Sequence, residues 1–103
     1  MKGGRYQISL SAPVEDFSGD AVVEGDLLKG LVAPFLLEGK IVGVDALCIA
    51  SVRVDPPSHR RDAGQRGAGL VLAGTCCDTG FKVSAVNAAG EPVVLEGVWV
   101  GPA

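Results

Sequence analysis

The chain reads as an all-β protein, a small single-domain β-barrel or sandwich. Glycine and proline punctuate it closely, with 15 Gly and 6 Pro in 103 residues. The apolar runs between them are rich in Val, Leu, Ile and Ala, too short and too β-branched for helices. About seven such runs recur at intervals of roughly 8 to 12 residues, the spacing of sandwiches and barrels. A chain of 103 residues supports one core, so residues 1–103 form one domain.

Arg5 to Ser11 alternates, with Tyr6, Ile8 and Leu10 on one face and Gln7, Ser9 and Ser11 on the other, and Ala12-Pro13 ends it. The stretch Glu15 to Asp20 reads as a turn. Ala21 to Glu24 and Leu27 to Ala33 follow as short strands joined by Gly25-Asp26, where glycine tolerates a positive φ. A helix over Leu27 to Leu37 would contain Gly30 and Pro34, at a cost of about 1 and about 3 kcal/mol relative to alanine. Glu38-Gly39-Lys40 reads as another turn. Ile41 to Val54 is the longest β-like stretch, closed by Pro56-Pro57. Asp55 to Gly67 is the one polar segment, an exposed, mobile, Arg-rich loop. Ala68 to Ala73, Phe81 to Val86 and Val93 to Val100 complete the strands, separated by Cys77 to Gly80 and Asn87 to Pro92.

Composition narrows the function. The chain is 48% hydrophobic and 20% charged, which excludes disorder. No uncharged stretch approaches the roughly 18 to 20 apolar residues of a bilayer-spanning helix, so no membrane partner is expected. Met1 to Gln7 does not open a signal-peptide pattern, and synthesis in a cytoplasm is expected. A net charge of -3 argues against nucleic-acid binding, which needs excess Lys and Arg. A small domain this apolar, with few charges for its surface, is expected to hide part of that surface against protein. Its three cysteines, Cys48, Cys76 and Cys77, read as reduced thiols.

No catalytic, metal or cofactor site emerges. His59, the single histidine, sits between Pro57-Ser58 and Arg60-Arg61, where a cation would be repelled, and reads as a solvated loop residue. Adjacent Cys76 and Cys77 on a strand point to opposite faces and lack the spacing that lets two thiolates share one zinc ion. Asp78-Thr79-Gly80 matches the aspartic-protease triplet, but Phe81 replaces the small residue expected next and only residues 81–103 follow; a turn is the simpler reading. Gly64 to Gly69 and Gly39-Lys40 lack the spacing of phosphate-binding loops.

Partner-binding candidates come from charge and position. Residues 1–52 carry four Lys/Arg against seven Asp/Glu, whereas residues 53–66 carry four Arg against two Asp. An acidic body thus bears a basic loop, and the segment His59, Arg60, Arg61 to Arg66 is suited to an acidic protein patch. Met1 to Tyr6, including Arg5 and Tyr6, is an exposed segment able to add a strand to a neighbour. Trp99 is either a core plug or an interface anchor.

The first half resembles the small capsid cement, or head-decoration, proteins of tailed bacteriophages. Ile8-Ser9-Leu10-Ser11-Ala12-Pro13 has their opening Ile-x-Leu-x-Ala-Pro form. Ser18-Gly19-Asp20-Ala21-Val22-Val23-Glu24-Gly25 is similar to their Ser-Gly-Asp-x-Val-x-x-Gly element, and Leu28-Lys29-Gly30-Leu31-Val32-Ala33 to the segment that follows it. Glu38-Gly39 and Ile41 to Pro56 match the next turn and strand, so the similarity spans roughly residues 6–56, with Gly90 and Gly97-Val98-Trp99 a looser match. The Arg-rich loop, the cysteine pair and the C-terminal part depart from it.

The resemblance implies a β-rich, non-enzymatic protein on the outer capsid surface, a homo-oligomer, often a trimer, that bridges major capsid protein subunits. The rivals are a small ligand-binding or regulatory β-barrel domain or subunit of a larger complex, and an enzyme using Asp78 or Cys76 and Cys77.

Overall fold

A computed structural model describes residues 2–12, 15–33, 35–55, 68–86 and 90–102. Eight strands follow one another: β1 (Gly4–Ser11), β2 (Asp16–Glu24), β3 (Leu27–Val32), β4 (Phe35–Val44), β5 (Leu47–Asp55), β6 (Ala68–Cys77), β7 (Gly80–Val86) and β8 (Pro92–Gly101). Each pairs antiparallel with the next, and β8 returns to β1, so the sheet closes into an up-and-down barrel. Of the two architectures expected, this is the barrel.

Period-two patterning drives the closure. In β1, Tyr6, Ile8 and Leu10 face inward and Arg5, Gln7, Ser9 and Ser11 outward. The same alternation places Ala21 and Val23, Leu28 and Val32, Leu37 and Ile41, Cys48, Ala50 and Val52, Leu72, Val83, Val93 and Leu95 inside. An eight-stranded barrel has a bore that side chains can fill, and these fill it. Among the described residues no polar or charged residue is buried. Tyr6 and Phe81 pack at 5.6 Å between ring centroids toward one end, and Phe17 and Phe35 meet edge to face at 5.1 Å.

The connections differ at the two ends. At one end, Gly25-Asp26, Asp45-Ala46 and Asp78-Thr79 are two-residue turns, and residues 2–3 and 102 leave the barrel there. Gly25 (φ 61°) and Asp45 (φ 56°) supply the positive φ that tight hairpins need at the first turn position. β1, β3, β5 and β7 end, and β2, β4, β6 and β8 begin, at the other end.

Three local expectations are corrected. Ile41 to Val54 is a hairpin, because Asp45 takes the left-handed conformation usually given to glycine. Glu15 to Asp20 is mostly strand, with Phe17 turned partly inward. Glu38-Gly39-Lys40 lies mid-strand in β4: Gly39 faces β5, where a Cβ would come 2.0 Å from the Ser51 carbonyl oxygen, so glycine marks a close approach of two strands.

Candidate interaction surface

The barrel end that holds the termini is sealed by side chains. Tyr6 and Trp99 are direct cross-strand partners on β1 and β8. The Tyr6 hydroxyl donates to the Lys2 carbonyl, and the Trp99 indole N–H donates to the Gly3 carbonyl at 3.2 Å. The Lys2 ammonium lies 3.9 Å above the Trp99 ring centroid, a cation–π contact. Residues 2 and 3 are thereby drawn across the barrel mouth. Trp99 packs partly against the core under this segment, so it is a plug more than a free anchor.

Tyr6 is fully buried, which corrects its assignment as an exposed contact residue. The strand-adding capacity of its segment is already used from Gly4 onward, because β1 is hydrogen-bonded to β2 on one side and β8 on the other. Closed barrels have no free edge to offer. Burial also pushes the Tyr6 hydroxyl pKa up, with Cys76, Cys77, Asp78 and Cys48 adding smaller contributions in the same direction. Arg5 does point outward, and with Asp20, Ala21, Val22, Lys29 and Val100 it lines a shallow depression of about 260 Å³.

His59, Arg60, Arg61 and Arg66 lie outside the described residues. β5 ends and β6 begins at the barrel end opposite Arg5, Tyr6 and Trp99. Asp55 and Ala68, the described strand ends on either side, lie about 30 Å from the far ends of β5 and β6 at the usual rise.

The thiols gather near the sealed end but face different ways. Cys48 is buried in the core, and burial, reinforced by the neighbouring Cys76 thiol, pushes its pKa up to about 11. Cys76 donates to the Leu47 carbonyl at 3.5 Å. Cys77 is on the outer face, 3.1 Å from the Thr79 hydroxyl, and hydrogen bonds from Thr79 pull its pKa below the ordinary thiol value. All three are free thiols, and no group of metal-ligating side chains forms among the described residues. Asp78-Thr79 is the two-residue turn between β6 and β7.

Sequence reasoning missed the outer face of β4, β5 and β6. Val42, Val44, Leu47, Ile49 and Val71 are each 47 to 69% exposed. Cross-strand register puts Val44 opposite Leu47, Val42 opposite Ile49, and Ile49 opposite Ala73, so they form one uncharged block. The signal was in the sequence: on either side of the Asp45-Ala46 turn, Ile41 to Val44 and Leu47 to Ala50 carry no polar or charged side chain at either alternating position, the pattern of a strand buried on two sides. Leu27, Leu31, Leu36, Val86, Val98 and Val100 are further exposed apolar side chains on β3, β4, β7 and β8. Charge interrupts the outer surface: Lys29, Glu38 and Arg53 form a ladder across β3, β4 and β5, further along the strands than the block, and Lys82 faces Glu96 on β7 and β8.

No protein-family model matches the chain, and no curated protein matches it at a significant level.

Proposed function

We propose that this protein is a structural capsid cement protein of a tailed bacteriophage, binding the outer surface of the head and stabilising contacts between major capsid subunits without catalysis. The observation that carries the reading is the distribution of apolar side chains in a closed barrel: the bore is filled, and further large apolar groups stand on the outside. A filled barrel is a rigid body whose binding capacity lies on its exterior. A small-ligand barrel instead keeps a cavity inside for its guest. The motifs shared with cement proteins fall on β1, β2 and β3, three consecutive strands of this body.

Cementing asks little of any single contact. Several modest contacts per oligomer, engaged at once on a repeating lattice, raise avidity without a strong individual interface. Arg60, Arg61 and Arg66 supply positive charge for an acidic capsid patch, and Arg5 adds an outward-facing cation on β1.

The test is to mix the purified protein with empty expanded heads of the phage that encodes it and image them. Extra density at regular lattice positions is expected, with lower occupancy for an Arg60→Ala, Arg61→Ala, Arg66→Ala variant. Heads that stay bare at salt concentrations where they remain intact would remove the reading.

A further inference from the structure

We propose that the outer face of β4, β5 and β6 is a self-association surface on which a second copy of this chain seats about a two-fold axis. The inference does not rest on the capsid reading; it concerns what this face does in the free protein. Val42, Val44, Leu47, Ile49 and Val71 expose an apolar area on the order of 500 Å², at the upper end for one patch on a soluble monomer. That is the scale of the apolar centre in an interface burying about 800 Å² per partner.

Charge placement selects a second copy as the occupant. Outward side chains along β4 read Lys40, Val42, Val44, and the strand then turns at Asp45. Consider a two-fold axis lying between two such faces, across the strands and between Val42 and Val44. It lays β4 on β4 with its direction reversed. Val42 then meets Val44 of the other copy, and Ile49 meets Leu47, because Val42 is level with Ile49 and Val44 with Leu47.

The same operation brings Lys40 of each copy over the Asp45 end of the other. Two reciprocal opposite-charge contacts thus flank an uncharged centre, the self-complementary arrangement an isologous interface requires. A three-fold assembly, as the cement resemblance implies, uses heterologous contacts and does not generate this reciprocal pairing.

Light scattering coupled to size exclusion, run over a concentration series, tests this. Wild type is expected at twice the 10.5 kDa chain mass. Ile49→Lys, an outward position that leaves the core untouched, is expected to weaken association at least 100-fold and yield monomer with an unchanged circular dichroism spectrum. Lys40→Glu sets like charges against Asp45 and is expected to weaken it about tenfold. A mixture of Lys40→Glu and Asp45→Lys chains restores opposite charge at both contacts and is expected to recover the dimer.

A wild-type protein that is monomeric or trimeric throughout, or an Ile49→Lys variant that still dimerises, overturns the proposal. Head decoration by a monomeric Ile49→Lys variant would leave the cement reading intact, so the two fail separately.

Discussion

Phe81 fills the space that a side chain at Gly97 would need: the two residues are direct partners on β7 and β8, and a Cβ on Gly97 would lie 2.4 Å from the Phe81 ring. An aromatic ring laid over a cross-strand glycine restores packing that glycine cannot provide, and here the ring also meets Tyr6. Gly97→Ala is expected to destabilise the barrel by about 1 to 3 kcal/mol through overpacking. Urea denaturation reads the loss, and Phe81→Leu in the same chain should recover part of it. Equal stability of Gly97→Ala and wild type would show that the ring moves aside freely.

Register can be tested at two consecutive residues. Leu72 is fully buried and Val71 largely exposed. Leu72→Ala is expected to cost about 2 to 5 kcal/mol, and Val71→Ala in the monomer to fall within about 0.5 kcal/mol of wild type. A slip of β6 by one residue would invert that order.

High pH should weaken the fold. The Cys48 thiol titrates near 9 when free and near 11 when folded, so between those values the folded state holds a proton that the unfolded state has released. Its contribution is fully present below pH 9 and is lost as pH rises through 11. The two-unit gap corresponds to about 2 to 3 kcal/mol. Tyr6, also raised by burial, acts in the same sense from about pH 10 upward. Urea midpoints at pH 8 and 10.5 measure the drop, and Cys48→Ala should make it shallower.

Trp99 is the chain's single tryptophan and reports on the barrel mouth. Removing residues 1–3 takes away the Gly3 carbonyl and the Lys2 ammonium that engage it. A red shift of its fluorescence and a loss of about 1 kcal/mol are expected. Lys2→Ala alone should give the smaller loss and little shift, because the indole hydrogen bond to Gly3 remains.

Strand alternation in Arg5 to Ser11 and the absence of helix-length runs made the fold class legible in the sequence. What stayed hidden were positions where one residue does the work expected of another. Asp45 turns the chain as glycine would, so two strands read as one. Gly39 does the reverse, lying inside a strand where β4 and β5 approach closely. Candidate sites were harder to read, because partner binding leaves no residue signature comparable to a catalytic motif. Tyr6 and Arg5 are adjacent in sequence, yet alternation sends one into the core and the other to solvent. Only closure of the sheet reveals that, among the described residues, no further layer lies over the outer block of β4, β5 and β6.

Pairing of the first strand with the last has a consequence for synthesis. Until β8 has left the ribosome, β1 and β7 each present an unpaired edge, and the Leu, Val and Ile side chains of the bore lack their far wall. Folding therefore completes after translation of nearly the whole described chain, with a high proportion of long-range contacts and correspondingly slow kinetics. During that interval the nascent protein is at its most prone to associate with neighbouring copies through its strand edges, a route closed once β8 docks.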